Sequence, residues 1–291
     1  MSFRHACPLV AVAVFGLVGV APTAPPVTLR IGTSADLVTD DSADKESAAR
    51  DTLGKFIQQE TGFANEISTE PNYRQLAEKL DNGKVQVGVF LGHQFAWAKE
   101  RNPKLQALAI AVNVFPSRYV HVVTRSDSKT SDFAGLTGQT LAAPRIGQEY
   151  LDLFVQRQAA LQGKDAKGFF SRISHPENFE VALDDVVDGN VQAAVVDRVA
   201  LDAYKRRKPG RFSQLKDVAQ SAALPAPVVA IREAGLDADT VQRFRAGLLN
   251  AKKKAEGQRL LTLFRLTGFE LPPKDFEKVL TDTRKAYPAQ D

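Results

Sequence analysis

Short runs rich in Val, Ile and Leu alternate along this chain with longer segments in which apolar residues recur every three or four positions. A strand repeats its face every second residue and a helix about every 3.6, so the alternation predicts sheets, mainly parallel, flanked by helices. The first strand is read at residues 27–32. Ala49, Leu53, Phe56 and Ile57 then mark one face of a helix, and a short strand follows near Ile67. Tyr73, Leu76, Ala77 and Leu80 mark a second helix, closed by the turn Asp81-Asn82-Gly83. Residues 85–91 alternate as a strand, another helix and a strand at 105–112 follow, and Pro116 ends the run.

The order then repeats. Residues 119–124 form a β-branched run placed as a crossover between two lobes, followed by strands at 140–143 and near 172–174. Leu151, Phe154 and Val155 mark one intervening helix, and Phe179, Ala182 and Val186 another. Residues 187–196 echo residues 80–90, each reading helix, Gly turn, strand, helix, which suggests two similar lobes. A second β run at 225–231 returns the chain to the first lobe, and helices at 237–250, 258–267 and 273–287 complete it. The expected division is therefore 25–117 with 225–291 as lobe one and 118–224 as lobe two. Two connections make a hinge with a cleft between the lobes.

Ahead of this pattern lies a different one. A basic start with Arg4 precedes an almost unbroken apolar run over residues 9–21, ended by Ala21, Thr23, Ala24, Pro25 and Pro26. The run is shorter than the roughly 20 residues that span a bilayer, and it reads as a secretory signal over residues 1–24. The lone Cys7 precedes the apolar run, whereas a lipid-anchored cysteine would follow it. Signal removal therefore leaves no cysteine for a disulfide, a thiolate metal site or a cysteine nucleophile. About 265 residues remain, more than one small core organises, and two α/β lobes accommodate them.

The net charge of +4 comes from clusters such as Lys205-Arg206-Arg207-Lys208, interleaved with acids. Without a groove-reading motif these are solvated helix faces, and no nucleic-acid partner is expected. No nucleophile elbow, zinc motif or phosphate loop is present, so neither an enzyme nor a cofactor or metal is expected.

Several stretches together resemble the phosphate-, phosphite- and phosphonate-type substrate-binding components of ATP-driven (ABC) importers, within the type II periplasmic-binding class. They are Leu29-Arg30-Ile31-Gly32, Asn72-Tyr73 with residues 80–92, Tyr119 with Val122-Val123, residues 126–128 and 132–141, and His175 with Asn178 before residues 187–196. The resemblance implies a two-lobed fold, a periplasmic location and delivery of a small, oxyanionic solute to a membrane permease. A ligand in such a sheet meets residues beyond the strand C-termini, where helix N-termini favour anions. Those positions are Thr33, Ser34, Gly92, His93, Arg145, Ile146, Gly147, Gln148, His175 and Asp197, with Tyr73 and Asn178 at helix starts and Arg118 and Tyr119 at the crossover.

The family carries small hydroxyl residues and glycine where this chain has Arg145-Ile146-Gly147-Gln148, and Arg145 offers a bidentate replacement for the lost donors. Asp197 would repel an anion, which argues for a ligand that also carries an amine or hydroxyl. Several positions have a structural alternative: Tyr73 as core, Phe95 and Trp97 after His93 as packing beneath the sheet, His175 as a cap, Arg145 as a rim residue. The protein is expected to be a monomer, and two further functions stand beside transport, a periplasmic sensor docking on a receptor kinase and, less favoured, a hydrolase using Ser34, His175 and Asp197.

Overall fold

The computed structural model describes residues 28–35, 43–145 and 148–289. The expected signal, Cys7, Ile146 and Gly147 lie outside the described residues, and of Gln148 only the backbone is described. In chain order the elements begin β1 (Thr28–Ser34), α1 (Ala43–Thr61), β2 (Ala64–Glu70), α2 (Tyr73–Asp81), β3 (Val87–Phe90), α3 (Gly92–Arg101) and β4 (Leu105–Val112). There follow β5 (Ser117–Arg118), β6 (Val120–Arg125), β7 (Thr140–Ala142), α4 (Gln148–Ala160), α5 (Ala166–Phe169), β8 (Arg172–Ser174), α6 (Phe179–Val187), β9 (Ala193–Asp197), α7 (Arg198–Arg207), α8 (Pro209–Phe212) and β10 (Leu215–Gln220). The chain closes with β11 (Leu224–Pro225), β12 (Val228–Arg232), α9 (Ala238–Leu249), α10 (Ala255–Leu263), β13 (Gly268–Glu270) and α11 (Phe276–Ala286).

These strands form two mixed sheets, one of six strands ordered β13-β4-β12-β3-β1-β2 and one of five ordered β10-β6-β9-β7-β8. Between them β5 and β11 form a two-stranded antiparallel ladder, with Arg118 opposite Leu224 and Ser117 opposite Pro225. The β2-β1-β3 and β8-β7-β9 portions are parallel, as helical crossovers require. The strands that enter a sheet directly from the ladder run the other way: β6 is antiparallel to β9, and β12 to β3.

The sequence echo has a structural counterpart. Asn72 and Asn178 cap α2 and α6, each side-chain oxygen accepting a backbone N–H at 3.0 Å. Gly83 and Gly189 follow those helices at φ 75° and 77°, a conformation that glycine adopts without strain. The next strands, β3 and β9, each pair with a parallel neighbour on one side and an antiparallel one on the other.

Alternating strand residues feed a core on both faces of each sheet. In the larger sheet Phe90, Val228 and Ala230 pack with Leu76, Phe95 and Leu280, while Ile31, Val87 and Val229 pack with Ile57, Phe244 and Leu260. In the smaller, Val120, Val122 and Leu141 meet Phe133, Phe154 and Phe169, and Ala142, Ala194 and Val196 meet Leu183, Val186 and Tyr204. Each large side chain so buried contributes about 1.5–3 kcal/mol.

Two expectations about individual elements change. Residues 120–124 do not serve as the crossover but belong to β6, an inner strand of the smaller sheet, and the crossing is made by Ser117–Arg118, with Tyr119 between the two strands. The run at 225–231 divides into β11 and β12, because Ala226 and Pro227 interrupt it.

Candidate functional site

The C-terminal ends of β1, β2 and β3 face the C-terminal end of β9 across a cavity of about 1010 Å³, walled by residues from both sheets. Thr33, Thr69, Leu91 and Asn113 line it from the larger sheet, and Arg118 from the ladder. From the smaller sheet come Glu149 and Tyr150 in the first turn of α4, Asn178 at the start of α6, and Asp197 at the end of β9.

Tyr150 lies one helical turn before Phe154 on the buried face of α4, and this places its ring under the strand ends. Its hydroxyl donates to Asp197 Oδ2 at 2.9 Å. The other oxygen, Oδ1, accepts the Ala200 backbone N–H at 2.6 Å and so caps α7. Arg118 stands with its guanidinium carbon 4.8 Å from the centre of the Tyr150 ring, a cation over the ring's negative face. Burial pushes the Tyr150 phenol well above its ordinary 10.0; the Arg118 cation opposes that shift and the Asp197 charge adds to it. The phenol therefore stays a neutral donor at any physiological pH. Among the described residues Arg118 forms no ion pair, and its contact is with Tyr150.

On the opposite wall, α3 begins at Gly92, and its first turn carries His93 and Gln94. Glu149 Oε1 accepts from His93 Nε2 at 2.9 Å and from Gln94 Nε2 at 3.2 Å, which puts a carboxylate at the positive end of α3. Glu149 Oε2 is buried and has no hydrogen-bond partner among the described residues. A Cβ on Gly92 would come within 1.9 Å of the Pro225 carbonyl oxygen, so only glycine lets the start of α3 rest on β11. Behind this turn Trp97 meets the His93 ring edge-on at 4.9 Å and the Tyr73 ring at 5.4 Å, and its indole N–H donates to the Tyr287 carbonyl at 2.7 Å.

Four of the residues singled out from sequence line the cavity: Thr33, Arg118, Asn178 and Asp197. His93 reaches it through Glu149. Ser34 is fully buried, and Tyr73 is half-buried with its hydroxyl lacking a hydrogen-bond partner among the described residues. The carbonyl of Tyr119 accepts the Arg198 backbone N–H at 3.0 Å, and the Arg198 guanidinium stands 5.7 Å from the Tyr119 ring. Arg145 is exposed, its backbone N–H donating to the Pro176 carbonyl at 3.3 Å. His175 is also exposed, with Nδ1 2.9 Å from the Ala143 carbonyl. Sequence reasoning passed over Glu149 and Tyr150. The spacing of Tyr150 to Phe154 was the available signal, since it extends the apolar face of α4 to the strand ends.

A family model described as "ABC transporter, phosphonate, periplasmic substrate-binding protein" matches residues 37–275. No curated protein sequence matches the chain. Among solved structures, the chain is similar to XAC2383 from Xanthomonas citri bound to chloride ion, at 18% identity and TM-score 0.61, covering 89% of this chain and 97% of that one. It is similar to the binding-protein component of an ABC phosphonate transporter from Pseudomonas aeruginosa, at 17% identity and TM-score 0.55, over 89% of this chain and 86% of that one. PhnD1 from Prochlorococcus marinus in complex with methylphosphonate is likewise similar, at 12% identity and TM-score 0.57, over 89% of this chain and 97% of that one. These structures share the two-lobed type II binding-protein fold, and the match over residues 37–275 shows that the chain belongs to the phosphonate-type periplasmic substrate-binding family of ABC transporters.

Proposed function

We propose that the protein captures a small solute with an oxyanionic head in the cavity between its two sheets and passes it to the permease of an ABC importer. The observation that carries this reading is Arg118, a half-buried guanidinium at the cavity wall, oriented by the Tyr150 ring and left without a carboxylate among the described residues. A phosphonate, phosphate or sulfonate would accept bidentate, charge-assisted bonds from it. On the same wall, the partnerless Glu149 Oε2 calls for a donor, which favours a ligand that carries an amine or hydroxyl beside its anionic head.

In this reading residues 1–24 direct export, residues 25–117 with 225–291 form one lobe and 118–224 the other, and β5 and β11 act as the hinge. The protein works as a monomer, without catalysis. Isothermal titration of the full chain against methylphosphonate, 2-aminoethylphosphonate, phosphite, phosphate, methanesulfonate and acetate tests it. Micromolar or tighter binding of at least one oxyanion is expected, with the amine-bearing phosphonate ahead of the methyl one. Absence of heat across the set would sink the oxyanion reading.

A further inference from the structure

The cavity is far larger than a one- or two-carbon oxyanion requires. At about 1010 Å³ it lies at the upper end of the range of roughly 300–1,000 Å³ that accommodates drug-sized molecules. The excess volume is not at the polar mouth. It extends along the face of the larger sheet that α1 and α10 cover, and there its walls are mainly apolar: Leu53, Ile67, Val89, Leu263, Phe264 and Phe269, with Arg50 and Arg265 among them.

Among the described residues that face is incompletely covered. Val89 belongs to β3, which has a strand on either side, yet its side chain is only half-buried. Ile67 on β2 and Phe269 on β13 are half-buried too, and Leu263 at the end of α10 is 43% exposed. Of these, Val89 carries the point, because an inner strand of a sheet flanked by helices normally loses such a residue to the core entirely, whereas β2 and β13 are edge strands. Apolar surface left beside a ligand cavity gains free energy when a hydrocarbon group covers it.

We propose that this chamber takes the apolar tail of the ligand, so that the natural solute is an amphiphile: an oxyanionic head at Arg118 with an alkyl or aryl chain of several carbons running past Val89 beneath α1. This inference rests on the oxyanion reading and adds the tail to it. The head and tail regions belong to one continuous cavity, with Arg118, Tyr150 and Asp197 on one wall and the apolar strand face on another. That continuity points to one bipartite ligand rather than to a separate partner. The competing occupant is the chain itself, because Leu37 and Val38 lie in the segment that joins β1 to α1, outside the described residues.

Isothermal titration of the full chain with methyl-, butyl- and hexylphosphonate, and with 1-hexanol as a headless control, tests the proposal. Each added methylene is expected to lower Kd by about fourfold until the chamber is filled. Val89→Phe is expected to abolish this dependence on chain length, and Ile67→Phe, on the neighbouring strand, provides an independent variant should the first fold poorly. Equal Kd values for methyl- and hexylphosphonate would overturn the tail inference and leave the oxyanion reading intact. Binding of hexanol with no binding of any phosphonate would support the chamber while overturning the head at Arg118. A dependence on chain length that emerges only in Leu37→Ser/Val38→Ser would assign the chamber to the protein's own segment and overturn the proposal.

Discussion

Glu149 on α4 lies 2.9 Å from His93 on α3, so one carboxylate links the helix that opens the smaller sheet's wall of the cavity to the helix that opens the larger sheet's wall. The same carboxylate brings negative charge into a cavity whose wall also carries the Arg118 cation. Its two effects are separable by substitution. Glu149→Gln keeps an oxygen for His93 and Gln94 but removes the repulsion, and methylphosphonate affinity is expected to rise several-fold by titration. Glu149→Ala removes the link as well, and the unliganded protein is expected to show a larger radius of gyration in small-angle scattering. Unchanged affinity in the first variant would mean that Glu149 lies too far from the bound head to act on it.

Arg118 and Arg145 are competing countercharges. Arg118 lies at the cavity wall over Tyr150, whereas Arg145 is exposed. A hydrogen bond to a charged group contributes about 1.5–3 kcal/mol, so Arg118→Gln is expected to weaken phosphonate binding by roughly 10- to 100-fold. Arg145→Gln is expected to change it by less than about twofold, as for a screened rim charge. The reverse order in titration would return the anchoring role to Arg145.

Gly92 tests the packing of α3 on the ladder. A methyl group there would meet the Pro225 carbonyl carbon at 2.5 Å as well as its oxygen, and backbone must move to admit it. Gly92→Ala is expected to cost about 1–3 kcal/mol, as overpacking does. Thermal unfolding should then shift down by about 2–4 °C for each kcal/mol in a chain of this size. A melting temperature equal to wild type would show that the ladder can yield.

Asp184 on α6 gives a dependence on pH. It accepts from Lys208 at 2.6 Å and from Tyr204 and Arg211 at 2.7 Å. Burial acts to raise its pKa, but the hydrogen bonds from Lys208 and Tyr204 and the charges of Arg211 and Lys208 outweigh it and hold the carboxyl below its ordinary 3.8. A carboxyl lowered in the folded state contributes stability that is complete above the ordinary value and lost as pH falls through the lowered one. Asp184→Asn is therefore expected to cost about 1–3 kcal/mol at neutral pH, with the gap from wild type closing only below about pH 4. A gap that is constant down to pH 2 would contradict the ionic origin of the effect.

Much of the fold was legible because its inner strands and amphipathic helices bury one regular stripe each. The Asn cap, Gly turn and β-rich run around Gly83 and Gly189 fix the same local geometry twice, and pattern reading detects such repeats. The edge strands β10 and β13 went unread for the converse reason. Within Leu215–Gln220 only Val218 is buried, and Gly268–Glu270 spans three residues, so these strands are held through backbone pairing that leaves little trace in side-chain type. The candidate site divides in the same way. Asn178 and Asp197 follow from their positions at a helix start and a strand end. Glu149 and its partners His93 and Gln94 are about 55 residues apart in sequence, and no local pattern encodes a contact made only when two sheets face each other.

Trp97 is the chain's one tryptophan, and its indole touches His93, the residue that Glu149 reaches from the opposite wall. The molecule thus carries a built-in optical gauge at the seam of its two halves. A ligand that draws Glu149 away from His93, or presses it closer, alters the polarity at the indole edge, and emission wavelength and quenching should follow that change in real time. Stopped-flow fluorescence could then separate the arrival of a solute from the movement it triggers, without a label and without altering a residue.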